Sequence, residues 1–263
     1  MKLGLNIPNF GPTATPQEMR GWTRVARDGG FALAMMSDHV ASTPDVEELY
    51  PAPFYDPFTT LAWLAGEADG LEVGTSVTIL PYRHPLLIAR MAETVDRLTG
   101  GRFVLGVGSG WAPDEFAALG VPFRERGRIS DEHLEVITGA WPGRIWVGGT
   151  APGALRRCAR FGAAWHPNNA DVRWMRDTGL PALPGKAFCP RTRVRLADHD
   201  LPPARRFGEG SLAQITADVR ELAGLGAEYV VLDTNPDHPK DRRESERDWR
   251  AVTAVAASVL SSG

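Results

Sequence analysis

Cysteine is scarce: the 263 residues hold two, Cys158 and Cys189, far apart and without metal-ligand spacing. That usage fits a reduced, cytoplasmic protein with inert thiols, and no metal site is expected. No run of about 18 apolar residues is present, which excludes a membrane-spanning helix. The opening Met1-Lys2-Leu3-Gly4-Leu5-Asn6 reads as the entry to a strand and not as a signal peptide. Charge of one sign is also lacking. Lys and Arg number 29 against 32 Asp and Glu, a formal net charge of -3, and no basic block alternates with aromatics, so a nucleic-acid partner is not expected. Gly-x-Ser-x-Gly elbows, His-Glu-x-x-His helices, Walker loops and Cys-x-x-Cys pairs are absent too, which removes the commonest motif-borne chemistries.

What the chain does have is a core-forming composition, 43% hydrophobic, and no linker. One α/β domain over 1–263 is predicted. Short apolar segments at 2–8, 31–38, 71–80, 102–108, 144–147, 163–166 and 228–232 read as strands buried on both faces. Amphipathic segments between them read as helices at 16–29, 58–67, 84–98, 130–140, 152–161, 211–225 and 245–260, with a shorter one at 114–119. Thr15 is the predicted N-cap of the first helix, ahead of Pro16. Residues 172–206 are rich in Arg and Pro and ambiguous, with one strand expected near 186–189 or 194–197. The alternation that uses every segment is an eight-unit (β/α)8 barrel, the TIM-barrel fold, its sixth and seventh units the weakest.

The most informative stretch runs Gly100-Gly101-Arg102-Phe103-Val104-Leu105-Gly106-Val107-Gly108-Ser109-Gly110-Trp111, followed by Ala112-Pro113-Asp114-Glu115-Phe116. It reads as a strand ending in a glycine-rich turn that feeds a helix opened by proline, where backbone amides can approach a ligand without an intervening Cβ. A tight βα turn would account for the glycines equally well. Gly148-Gly149-Thr150, ahead of the 152–161 helix, has the same form and is the best phosphate candidate, since free amides at a helix N-terminus attract anions. Arg156, Arg157 and Arg160 follow on that helix as further cations or as a solvated face. Asp233 and Asp237, with Asn235 and His238, close the eighth strand and form a weak metal or acid–base candidate.

Taken together, Ser37-Asp38-His39, the run from Gly74 to Pro85, Gly101 to Trp111, Glu125-Arg126-Gly127-Arg128, Ile145 to Gly149 and Gly162 to Pro167 resemble the bacterial luciferase-like flavin and deazaflavin oxidoreductases. The form of Gly106–Glu115 and of the following Gly-Val-Pro-Phe-x-Glu-Arg-Gly is nearest to the coenzyme F420-dependent branch. The resemblance implies a TIM barrel that binds F420, or alternatively FMN, at the C-terminal ends of its strands, with a small-molecule substrate and a homodimeric assembly. It implies that Asp38 and His39 sit beside the flavin's pyrimidine side or its ribityl chain, His39 taking part in proton handling. It also implies that Ser76-Val77 is a non-prolyl cis peptide propping the ring, and that Gly108-Ser109-Gly110 and Gly148-Gly149-Thr150 hold the phosphate between them.

Trp111 stands where some sugar-phosphate members carry a catalytic glutamate, which argues for a flatter, apolar substrate. Tyr82, Trp111 and Trp165 are the expected pocket walls, and Glu115 is expected as a helix N-terminal carboxylate. A second departure is a deletion: where relatives carry several dozen residues before the 144–147 strand, this chain has only Pro142-Gly143. The expected consequence is a smaller lid and a more open site. Three functions follow: an F420-dependent oxidoreductase, an FMN-dependent monooxygenase using oxygen, or a flavin-binding protein without oxidoreductase activity.

Overall fold

The computed structural model describes residues 1–235 and 245–261. Its first half runs β1 (Lys2–Ile7), α1 (Pro16–Asp28), β2 (Leu33–Met36), α2 (Pro44–Glu47), α3 (Pro57–Leu64), β3 (Glu72–Thr75), β4 (Thr78–Ile79), α4 (Pro85–Leu98), β5 (Phe103–Gly108), α5 (Pro113–Ala118) and α6 (Arg126–Ala140). The second half runs β6 (Arg144–Gly148), α7 (Pro152–Phe161), β7 (Ala164–His166), α8 (Val172–Trp174), β8 (Ala187–Phe188), β9 (Arg191–Arg193), β10 (Arg195–Leu196), β11 (Glu209–Gly210), α9 (Leu212–Gly224), β12 (Tyr229–Asp233) and α10 (Ser245–Leu260). Thr15 caps α1 as predicted, its side chain accepting from the Glu18 amide at 3.2 Å, with Pro16 in the first turn.

All barrel pairings are parallel, in the order β8-β7-β6-β5-β3-β2-β1-β12-β9 with β4 also on β5. Only Cys189-Pro190 separates β8 from β9, so the sheet returns to itself and closes. Two barrel positions are thus broken strands. β3 and β4 are parted at Ser76–Val77, whose peptide bond is cis as the resemblance implies. β8 and β9 are parted at Pro190, which has no N–H to give the ladder. Counted this way the described residues form eight strand positions, a (β/α)8 barrel.

The expected seventh strand is corrected in detail. It straddles Pro190, and the 194–197 alternative belongs in part to β10, which pairs with β11 in a separate two-stranded ladder. The period of two along each strand sorts the core: Leu33, Met35, Val104, Trp146, Tyr229 and Val231 pack together, while Ala34, Met36, Phe103, Leu105 and Val230 join the helices' cluster. The Trp141–Arg144 connection leads into the N-terminal end of β6. In a parallel barrel that is the face opposite the strands' C-terminal ends, so its brevity does not uncover them.

Candidate active site

The C-terminal ends of the strands enclose a cavity of about 580 Å³. Asp38, His39, Ser76, Val77, Gly108, Ser109, Gly110, Trp111, Gly148, Gly149 and Thr150 all line it, so most of the predicted site residues converge from four different strand ends. Two do not. Trp165 is 1% exposed, stacks on Phe188 at 5.5 Å and donates its indole N–H to the Gly149 carbonyl at 2.9 Å, so it supports the Gly148–Thr150 turn from behind. Tyr82 is buried edge-on against Phe116 at 4.8 Å; burial, then the neighbouring Glu115 carboxylate, push its phenol pKa up. Neither is a pocket wall. Of the three α7 arginines only Arg157 lines the cavity, and it is engaged by Asp131 and the Gly127 carbonyl.

His39 is fixed on the cavity wall by a buried carboxylate. Its Nδ1 lies 2.7 Å from Glu115 Oε2, and the other Glu115 oxygen accepts from the Val40 and Ala41 amides at 2.6 and 3.1 Å. Glu115 is 0% exposed. Burial alone would raise its pKa, but the His39 hydrogen bond and charge, with the two amides, outweigh it and hold the carboxyl below its usual range. An ionised carboxylate only accepts, so Nδ1 carries the proton of this bond and Nε2 is the ring nitrogen not engaged by Glu115. The ring is held by Tyr50, Phe54 and Trp111 at 5.0, 5.4 and 5.7 Å. Glu115 is therefore the partner of the site's histidine, more than a helix-terminal charge.

Asp38 is spoken for. Arg83 binds it with two N–H groups at 2.7 and 2.8 Å, and the Ile79 amide donates at 3.0 Å, tying the end of β2 to β4. Its carboxylate shapes the wall and is not free for proton transfer. Asn9 does related work from the loop after β1, donating to the Ser37 and Tyr55 carbonyls at 2.9 and 2.7 Å.

The glycines divide into two roles. A Cβ on Gly106 would stand 1.9 Å from the Thr75 carbonyl oxygen, and one on Gly108 or Gly148 would meet Val77 at 2.7 or 3.2 Å. These three make room for the 76–77 segment and not directly for a ligand. Gly149 has φ of 96°, a conformation that favours glycine, and leads into α7, whose first turn has Pro152 and no side-chain cap. In that turn Pro152 has no N–H and Ala154 donates to the Ala151 carbonyl at 2.8 Å, which leaves the Gly153 amide beside Ser109, Arg124 and Arg126, all of which line the cavity. Arg126 lies over the Phe123 ring at 4.0 Å and donates to the Phe123 carbonyl, without a carboxylate partner among the described residues.

Arg191, Asn168, Tyr50 and Arg124 line the cavity without having been singled out from sequence, and Arg126, also on its wall, appeared there only as part of a resemblance motif. A signal for Arg191 existed: an arginine after Pro190 with an aspartate, Asp233, ending the next strand. The register sets Arg191 opposite Val231 and Asp233 opposite Arg193, and the Arg191 guanidinium reaches along the strands to the Asp233 carboxylate at 2.6 Å. The Asp233 candidate is thereby explained as that ion pair, while Asp237 and His238 lie outside the described residues. No group of three or more His, Cys, Asp or Glu side chains suited to a metal occurs among the described residues. Both thiols are buried, Cys158 with its pKa pushed up to about 11 by burial. No helix among the described residues is long and apolar enough to cross a membrane.

Residues 1–179 match the family described as luciferase-like monooxygenase. The chain belongs to that family. Among curated luciferase-like relatives, the F420-dependent glucose-6-phosphate dehydrogenase of Beutenbergia cavernae is 33% identical over 258 residues, covering 92% of this chain and 71% of that one. The 4-hydroxyprotoasukamycin monooxygenase of Streptomyces nodosus subsp. asukaensis is 41% identical over 200 residues, 76% of this chain and 49% of that one. The chain spans less than two thirds of the length of the first curated relatives it matches. Of the solved structures, the oxygenating constituent of 3,6-diketocamphane monooxygenase of Pseudomonas putida, in complex with FMN, superposes with a TM-score of 0.72 at 14% identity, covering 98% of both chains. At that identity the likeness speaks to the fold. Luciferase-like proteins thus include both F420-dependent and FMN-binding members.

Proposed function

We propose that this luciferase-like chain is an F420-dependent oxidoreductase that exchanges a hydride between the deazaflavin and a small organic substrate. The observation that carries the choice is the cationic lining: Arg124 and Arg126 face the cavity in addition to the uncapped amides of α7. FMN ends in one phosphate, which the α7 turn alone would serve. F420 continues beyond its phosphate into an acidic oligoglutamate tail, for which further guanidinium groups are suited. The side chains present fit a ring as well, with His39, Tyr50, Ser76 and Trp111 on the cavity wall. When bound, the deazaflavin supplies the hydride chemistry at its ring carbon five.

The protein's own part is binding and proton management. Gly148-Gly149-Thr150 and the first turn of α7 hold the phosphate, and Ser109 stands beside them. His39 exchanges a proton with the substrate through Nε2 while Glu115 fixes the tautomer and the ring plane. Trp111, 41% exposed, offers a stacking face to a planar substrate where sugar-phosphate members carry an acid.

The FMN-dependent monooxygenase is the second reading, favoured by the 41% identity to an oxygenating relative. A binding protein without turnover loses its main support, because the short Trp141–Arg144 connection lies away from the cavity. Titration with F420 and FMN in both redox states, followed by fluorescence and calorimetry, separates the readings. F420 should bind about tenfold or more tighter than FMN, and Arg124→Ala with Arg126→Ala should erase most of that margin at low salt, where charge contacts count most. A preference for FMN with oxygen consumption would transfer the assignment to the monooxygenase, and binding of neither would end both.

A further inference from the structure

We infer that Arg191 is a positioning residue that sets the cavity floor at Ser76–Val77, acting by its geometry and not by its charge. The inference rests on the cavity being a flavin-type cofactor site. Arg191 is 6% exposed, and each of its three guanidinium nitrogens donates a hydrogen bond. Nε and Nη2 both donate to Asp233 Oδ2, at 2.9 and 2.6 Å, which fixes the plane of the fork. Nη1 then donates to the Ser76 carbonyl at 2.6 Å and to the Ser76 hydroxyl oxygen at 3.1 Å. Residues 115 positions apart in the chain are joined at the centre of the barrel mouth.

His166 closes the clamp from the other side. Its Nδ1 lies 2.5 Å from the Cys189 carbonyl oxygen, which can only accept, so the proton sits on Nδ1. Nε2 must then accept from the Ser76 hydroxyl, 2.8 Å away. That leaves the hydroxyl lone pairs directed to Arg191, and every polar atom of Ser76's side chain and carbonyl is held. Val77 follows at once, wedged where Gly108 and Gly148 lack a Cβ. Strands β6, β7, β9 and β12 thus all converge on one short segment, more than packing a strand requires.

The charge itself is cancelled. Asp233 is 3% exposed and pairs with Arg191 inside the barrel, so the cavity meets a neutral ion pair. A group acting through charge would favour the reduced, more anionic cofactor, whereas a clamp that only shapes the floor should affect both redox states alike. Lysine cannot substitute, since a single ammonium cannot bind Asp233 in the plane of a fork and reach Ser76 with a further arm.

The test is calorimetric titration of FMN and F420, oxidised and reduced, into the wild type, Arg191→Lys and Ser76→Ala, with visible circular dichroism of the bound cofactor and thermal unfolding alongside. Ser76→Ala deletes only the hydroxyl and buries no unpaired charge, so it remains informative where Arg191→Lys fails to fold. Expected are affinities lower by about tenfold in Arg191→Lys and severalfold in Ser76→Ala, equal for the two redox states, with an altered dichroic band. Failure of the wild type to bind either cofactor overturns the function on which the inference rests. Wild-type binding with both variants matching it in affinity and dichroism overturns the inference alone, as does weakening confined to the reduced state.

Discussion

Single side chains in the barrel mouth carry pH dependence that can be read with its sign. His166 is fully buried, and burial lowers its pKa from 6.5 to about 4, against the favourable Cys189 hydrogen bond and with Arg191 repelling the charged form. The unfolded chain binds that proton below 6.5 and the folded chain does not until about 4, so stability falls as pH drops through this interval. The integrated loss is about 3 kcal/mol by pH 4. His166→Gln should therefore cost stability at pH 7, but the gap between variant and wild type should narrow by roughly that amount by pH 4. Thermal unfolding followed across pH 7 to 4 checks it, and a gap that stays constant would show that His166 does not titrate as described. Glu115 acts with the same sign at lower pH: its carboxyl is lowered in the fold, so its contribution is present above its ordinary value of 4.5 and is lost as pH falls through the folded-state value.

Strands meet at Val77, and here packing between elements decides what the site tolerates. Gly108→Ala places a Cβ 2.7 Å from Val77 Cγ2 and should cost about 1–3 kcal/mol by overpacking. Val77→Ala removes the obstructing methyls, so the two changes together should cost less than their sum, with a coupling of about 1 kcal/mol or more in a double-mutant cycle. Additive losses in thermal unfolding would mean that β5 shifts to admit the Cβ and that Val77 is not the obstacle. These glycines also show where sequence legibility ends. Their presence, their strand and their turn were readable from Gly106 to Gly110, because period and turn chemistry are local. Whether the missing Cβ serves a ligand or a neighbouring strand is a tertiary fact. Strand seven was hard for a related reason: Pro190 splits it into pieces of two and three residues, too short for alternation to register. Arg191 lay in that gap and so escaped notice. Trp165 and Tyr82 were misplaced because an aromatic at a strand end looks the same from sequence whether it faces the mouth or the helix layer.

The whole barrel separates stability from chemistry by face, and that separation bears on the deletion before β6. From sequence the missing residues suggested an exposed site, yet the cavity is built largely from 37–39, 76, 77, 79, 108–111 and 148–151, at or just beyond the C-terminal ends of strands, whereas Pro142-Gly143 precedes one. Chain length at such a connection costs little, since each doubling of a loop adds only about 0.6 kcal/mol of closure entropy. Inserting four Gly-Ser residues between Pro142 and Gly143 should leave cofactor affinity within about twofold of the parent, because nothing on the cavity side is touched. The same insertion between Ser109 and Gly110 should abolish binding. There Gly110 has φ of 78° and fits against Ile79 and Phe116 with no space for a Cβ, and the turn delivers Trp111 and Glu115 to His39. Calorimetry of the two insertion variants, with thermal unfolding to confirm that both fold, makes the comparison. A large loss from the 142–143 insertion would mean that the bottom of the barrel is coupled to its mouth, and the deletion would regain its weight as evidence about activity.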